Sequence, residues 1–255
     1  MDGIGFVGAG RIARIMIDGW RRAGRSPATL VAYDADPAVL DALIRDHPTV
    51  RRGDPAAVAS QAIVVLGLHP PAAAEVLPAI APRLAADAIL LSLAPKLKFE
   101  ALRALAGGFA RIARQNPNAP SIVNRGFNPI AFAAGLDPAG RARLLDLLAP
   151  LGDCPEVDEA TIEAYALISA MGPTYLWFQF QQLRTLAVQF GLSDAAARTA
   201  VAQMVHGAAA TLLESDLPVE RVLDLVPVKP LAGDEAMIAD LYRARLEPLW
   251  ARLTA

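Results

Sequence analysis

In "IGFVGAGRIARIMIDGW", residues 4–20, a short apolar run meets Gly8-Ala9-Gly10 and passes into a helical pattern. Gly8 to Ala13 fits G-x-G-x-x-A, a turn that opens a dinucleotide-binding βαβ unit when it joins a strand to a helix. In that reading Gly8 permits the tight turn, Gly10 lets the backbone approach a pyrophosphate, and Ala13 allows close packing of helix on strand. The helix N-terminus then offers unpaired N–H groups and the positive end of its dipole to the phosphates. The plain alternative is a strand-to-helix turn that binds nothing.

The next apolar run ends in "VAYDADP", residues 31–37. An acidic residue at the end of this second strand accepts hydrogen bonds from the adenosine ribose hydroxyls, and Asp34 holds that place. Asp36 adds a second negative charge, and no Arg or Lys follows before Arg45. A 2′-phosphate would meet like charges with no cation to pair it. The expected cofactor is therefore NAD(H), with NADP(H) left open.

Outward from this turn, short apolar runs alternate with helical patterns as far as about residue 135. The expected strands are Ile4–Val7, Leu30–Tyr33, Ala62–Leu66, Ala88–Leu91, Arg111–Arg114 and Pro129–Ala133. Their continuous apolar character fits strands buried on both faces of a parallel sheet covered by helices. Beyond residue 137 the texture is helical: 137–152, the long span 156–192, and 193–215 with Ser193 as N-cap. This places a boundary near Pro155–Asp158, with an α/β domain over 1–155 and an all-helical domain over 156–255. The second half is small for its many apolar residues, and its surface is expected to pack against a second copy of the chain.

Composition narrows the classes further. The chain has 255 residues, is 54% hydrophobic and carries a formal net charge of −2. No block of basic residues marks a nucleic-acid partner. No apolar run of about 18 residues marks a membrane span, and the first 20 residues do not read as a signal peptide. Cys154 is the single cysteine, which fits a reducing, cytoplasmic setting. Three scattered histidines and one cysteine give no metal-ligand spacing.

Several further stretches, taken with the opening one, resemble the pyrroline-5-carboxylate reductase family. They are "VVLGLHP" (64–70), "ILLSLAPKL" (89–97), "RIARQNPNAPSIVNRGFNPIAF" (111–132), "ALISAMGPTYLWFQFQQLRTLAVQFGL" (166–192) and "AQMVHGAAATLLES" (202–215). The resemblance implies a Rossmann domain, a helical dimerisation domain, and hydride transfer from a nicotinamide cofactor to a cyclic imine. It implies a cofactor site at Val7, Gly8, Ala9, Gly10, Arg11, Ile12, Asp34 and Asp54, with Leu68, His69, Pro70, Leu93 and Pro95 along the nicotinamide half. It implies substrate residues at Asn118, Ser169, Gly172, Pro173, Asp216 and Gly233; Tyr175, close to Gly172-Pro173, and Lys229, where the loop departs from the family, join them as candidates.

The substrate end departs from the family pattern Ser-Pro-Gly-Gly-Thr-Thr. In "DLVPVKPLAGDEAMIADLY" (224–242), counted without gaps from Asp224, the functional Thr of that loop falls on Gly233; Pro227 and Lys229 stand before it where the family has neither. Prolines remove N–H donors, so this loop lacks the same anion nest. His69, where the family has Lys, and Lys229 are the candidate catalytic residues: His69 as a proton donor or ribose contact, Lys229 as a carboxylate anchor. Three functions follow in order: a pyrroline-5-carboxylate reductase acting as a homodimer, a related reductase of another imine or carbonyl compound, and a dinucleotide-binding protein without catalysis.

Overall fold

Strands form where β-branched and aliphatic residues run together, and helices where apolar residues recur at helical spacing. The computed structural model describes residues 3–254 and shows the two in alternation through the first half of the chain. β1 (Gly3–Val7) leads into α1 (Arg11–Arg22), β2 (Thr29–Tyr33) into α2 (Pro37–Asp46), and β3 (Val50–Arg52) into α3 (Pro55–Ala59). β4 (Ile63–Leu66) precedes α4 (Pro70–Ile80), and β5 (Ile89–Ser92) precedes α5 (Phe99–Leu105). β6 (Ile112–Gln115) is followed by β7 (Gly126–Phe127), β8 (Ile130–Phe132), α6 (Pro138–Leu148) and β9 (Gly152–Asp153).

Seven of these strands form one sheet in the order β3-β2-β1-β4-β5-β6-β8. All neighbours are parallel except β8, which runs antiparallel to β6. The direction of winding reverses between β1 and β4, the place where open α/β sheets bind ligands. Alternate residues of each strand feed two cores. Ile4, Phe6, Ile63, Val65, Ile89 and Leu91 pack on one face with Met16 and Trp20 of α1. Val7, Val64, Leu66 and Leu90 pack on the other with Leu77 of α4 and Leu102 of α5. This double burial is why the strands read as unbroken apolar runs.

The short edge pieces escape the apolar pattern. β3 is Val-Arg-Arg with both arginines exposed, and the two-residue β7 and β9 pair only with each other. The five-residue α3 also carries too little periodicity to be read, though Asp54 caps it. The expected helix over 137–152 stops at Leu148, passes through a tight turn at 149–151 that contains Pro150, and ends in β9. The expected helical span 156–192 is broken. A turn at 159–161, α7 (Ile162–Tyr165) and a wide π-type turn at 166–170 precede α8 (Pro173–Gln189). Gly172-Pro173 resets the helix there, since Pro173 has no N–H to continue the preceding ladder.

The chain divides into two compact units, one running up to Met171 and including Trp250 onward, the other Gly172–Leu249. The break is thus later than the expected 155/156. Residues 159–171 pack with the sheet because Ile162, Glu163 and Leu167 are buried and Arg114 holds both Glu159 (2.9 Å) and Glu163 (2.7 Å).

The second unit contains α8, α9 (Asp194–Leu213), α10 (Val219–Leu223) and most of α11 (Glu235–Thr254). Gly191, with φ of 102°, ends the α8 segment, and Ser193 caps α9 by accepting the Ala196 N–H. Arg184 of α8 meets Asp194 of α9 at 2.6 Å. Ala197 alone is buried in α9, and no described residue of α8, α10 or α11 is. Phe190, Leu213 and Val228 are 80%, 78% and 73% exposed. No described helix is long and apolar enough to cross a membrane.

Cys154 lies beside the sheet edge, where its thiol donates to the Asn128 carbonyl and accepts from the Gln115 amide, both at 3.2 Å. Burial pushes this thiol up to about 11, against the opposing effect of the Gln115 hydrogen bond. The thiolate is the reactive form. Alkylation by iodoacetamide at pH 8 is expected to be about a hundredfold slower in the native protein than after unfolding, as mass spectrometry of timed samples would read. Equal rates would contradict it.

Candidate functional site

The register of the sheet brings the loops of interest to one edge. Val7 pairs with Tyr33 and with Leu66, and Leu66 pairs with Ser92. The segments after β1, β2, β4 and β5 therefore leave the sheet side by side. They carry Gly8–Ile12, Asp34, Leu68–Pro70, and Leu93 with Pro95. Asp54 follows β3 at the same edge, since Ala32 pairs with Arg52.

Gly8 and Gly10 are glycines for different reasons. Gly8 has φ of 103°, donates to the Tyr33 carbonyl at 2.8 Å, and would put a Cβ 2.7 Å from the Gly67 carbonyl oxygen. The protein itself requires a glycine there. Gly10 has an ordinary φ of −74°, and a Cβ on it would meet nothing within 4 Å. Nothing in the chain forbids a side chain at Gly10, so the space above it suits a ligand that approaches the backbone. Ala13 is fully buried against the sheet.

Helix capping, taken with the topology, bears on the same place. α2, α3, α6 and α9 begin on Asp36, Asp54, Asp137 and Ser193, each accepting a backbone N–H of its own helix. α1 has no side-chain cap and no acidic residue in its first turn. α4 is likewise uncapped by His69, but Pro70 and Pro71 leave it few N–H groups to offer. Of the two helices that flank the winding reversal, α1 is the one able to receive an anion.

Asp34 braces this loop. Its Oδ2 accepts the Ala9 N–H at 2.8 Å and its Oδ1 accepts the Asp36 N–H at 2.9 Å. No cation pairs with Asp34 or Asp36 among the described residues, and Arg52 on neighbouring β3 is engaged by Asp41. Asp54 spends one oxygen on the Ala57 N–H, 2.7 Å away. A dinucleotide thus fits the donor set: N–H groups for phosphate, and a carboxylate at the ribose position.

The remaining residues of the first unit divide into exposed and structural. His69 is exposed at the start of α4, and no hydrogen bond or ion pair holds its ring among the described residues. Asn118 is buried and hydrogen-bonded at its side chain and its backbone. Its Nδ2 donates to the Ser169 carbonyl (3.2 Å), its Oδ1 accepts from Phe127 N–H (3.1 Å), and its own N–H donates to Asn128 Oδ1 (3.0 Å). The Ser169 hydroxyl donates to the Tyr165 carbonyl at 2.9 Å.

In the second unit Gly172 and Pro173 start α8. Tyr175 stands edge-on to Tyr242, ring centres 6.0 Å apart, in an apolar groove of about 520 Å³ lined also by Phe178, Ile238 and Leu241. Burial raises the Tyr175 phenol above its usual value, and Tyr242 adds to the shift. Asp216, Lys229 and Gly233 lie in exposed turns. Among the described residues no cluster of His, Cys, Asp and Glu could hold a metal ion. Sequence reasoning passed over Lys96, although it directly follows Pro95 and has φ of 67°.

Comparison with known proteins extends this picture. Residues 3–96 match the family model described as NADP oxidoreductase coenzyme F420-dependent, and residues 159–229 match pyrroline-5-carboxylate reductase dimerisation. Fold and loop together define the class: an NAD(P)-dependent oxidoreductase with a Rossmann-type N-terminal sheet and a helical C-terminal region. Pyrroline-5-carboxylate reductase of Pseudomonas aeruginosa is 29% identical over 216 residues, 84% of this chain and 79% of that protein. The chain is thus similar to pyrroline-5-carboxylate reductases along most of its length. The solved structure of a pyrroline-5-carboxylate reductase from Coxiella burnetii is 25% identical with a TM-score of 0.71, covering 99% of this chain and 94% of that one. The Plasmodium falciparum pyrroline carboxylate reductase with NADP bound is similar in fold, at 21% identity and a TM-score of 0.76, over 99% of this chain and 94% of that one.

Proposed function

We propose that this protein reduces a cyclic imine of the pyrroline-5-carboxylate type to proline, with NADH preferred over NADPH. The observation that carries the reading is the uncapped start of α1 beneath Gly10, braced by Asp34 at the winding reversal. The names of the relatives support the substrate class. When bound, the nicotinamide supplies the hydride chemistry. The residues Val7–Ile12 would hold the pyrophosphate, and Asp34 would accept the ribose hydroxyls. Leu68, Pro70, Leu93 and Pro95 would wall the nicotinamide half and keep water from it. The exposed His69 is placed to hold or deliver a proton at its imidazole.

The apolar faces of α8 and α9 suit a homodimer through the C-terminal helices. Phe178, Phe190 and Leu213 are 68%, 80% and 78% exposed, and residues 159–229 match the family's dimerisation region.

NADH or NADPH with pyrroline-5-carboxylate, followed by loss of reduced-cofactor absorbance, tests the reading. Turnover with NADH is expected, at kcat/KM about tenfold above NADPH, since two unpaired carboxylates repel a 2′-phosphate. No turnover with either cofactor would sink the proposal. A second reading keeps hydride transfer but changes the imine or carbonyl substrate. The loop 224–234 favours it, because Pro227 and Pro230 lack N–H donors and the exposed Lys229 offers a point charge instead.

A further inference from the structure

We propose that Lys96 holds the carboxylate of the substrate at the nicotinamide end of the cleft, a role that rests on the reductase reading above. Asp34 fixes the adenosine side of the crevice at β2, so the opposite half of the dinucleotide lies over β4 and β5. Lys96 stands in the segment leaving β5 at that edge. Its φ of 67° places a lysine in the left-handed region, where residues other than glycine, asparagine and aspartate are uncommon. Such strain persists where surrounding structure over-determines it, and it gathers at ligand sites.

The surroundings here do over-determine it. On one side Ser92 is buried and its Oγ accepts the Ala94 N–H at 3.4 Å. On the other, Glu159 Oε1 accepts the Phe99 N–H at 2.6 Å. Glu159 is itself held by Arg114, which is anchored in turn by the buried Glu163. The segment between Ser92 and Phe99 is thus clamped at both ends, with Lys96 at its turn. Lys96 is exposed and has no hydrogen bond or ion pair among the described residues. A strained position, a clamped loop and an ammonium without a carboxylate partner are what an anion-holding residue requires. Glu159 and Arg114 act as positioning residues for it.

Lys96→Gly is the decisive variant, because glycine adopts the left-handed conformation without strain while the ammonium and its stem are removed. Wild type and variant are compared on pyrroline-5-carboxylate and on 1-pyrroline, the same imine without the carboxylate. In the variant, kcat/KM for the carboxylate substrate should fall at least about tenfold, carried mainly by KM, as expected when a charged partner is lost. The value for 1-pyrroline should be unchanged, and Lys96→Arg should restore most of the loss. An equal loss on both imines, or no loss on either, overturns the assignment while leaving the reductase reading in place. If wild type reduces neither imine, the reductase reading fails and Lys96 is judged on binding. Calorimetry of L-proline with the NADH-loaded protein should then show binding by wild type that Lys96→Gly loses. Equal binding by both, or none by wild type, overturns it.

Discussion

A Gly10→Val variant should fold normally and bind NADH about a hundredfold more weakly than wild type, a loss of about 2.7 kcal/mol. The backbone at Gly10 is ordinary and a side chain there meets no protein atom, so thermal unfolding should barely move. The valine would fill the space through which phosphate reaches the first N–H groups of α1. Gly8→Ala should do the reverse of the first half. Its Cβ would collide with the Gly67 carbonyl and its φ is left-handed, so it should cost stability outright, by about 1–3 kcal/mol. Titration calorimetry and thermal melts on the pair read both effects. A Gly10→Val protein that binds NADH as well as wild type would remove the dinucleotide from this turn.

The second large effect lies away from the cofactor. Arg114 is 1% exposed and joins β6 to residues 159–163 through two carboxylates. Its Nε is buried with no partner among the described residues, so the guanidinium already lacks one hydrogen bond. Arg114→Ala would leave Glu163 buried without a counter-charge, which typically costs about 3–5 kcal/mol. The expected result is a fall in the urea midpoint large enough to leave a population unfolded at room temperature. Arg114→Met with Glu163→Leu removes the charge and its partner together, and should recover most of the loss. A single variant as stable as wild type would show that the pair contributes nothing.

The contrast between these two sites explains what the residues disclosed in advance. The glycine turn after β1 was legible because its parts are contiguous: an apolar strand, two glycines and a helix, with Asp34 at a fixed distance beyond. The central strands were legible because both their faces are buried. The Arg114 network could not be read, because Glu159 and Glu163 look like surface residues on a helix until the chain breaks at 166–170 and folds them under. Gly172-Pro173 was in view, but a helix can begin at such a pair as easily as continue toward it. Asn118 and Asp54 show a different limit. Sequence places them near a site, while the structure shows hydrogen bonds that already employ them, Asn118 as a three-way post and Asp54 as a cap. Lys96 was hidden by its neighbours, for only a torsion angle distinguishes it from any loop lysine.

The bare helices of the second unit carry a thermodynamic consequence. A segment with one buried alanine in α9 and none in α8, α10 or α11 gains little from folding alone, because chain ordering costs about 1–2 kcal/mol per residue. Its order must be supplied by whatever covers Phe178, Phe190 and Leu213. If that cover is a second copy, folding and association are one equilibrium for this half of the molecule, and its melting point rises with the amount of protein in the tube. The Rossmann sheet, closed on both faces within one chain, carries no such dependence.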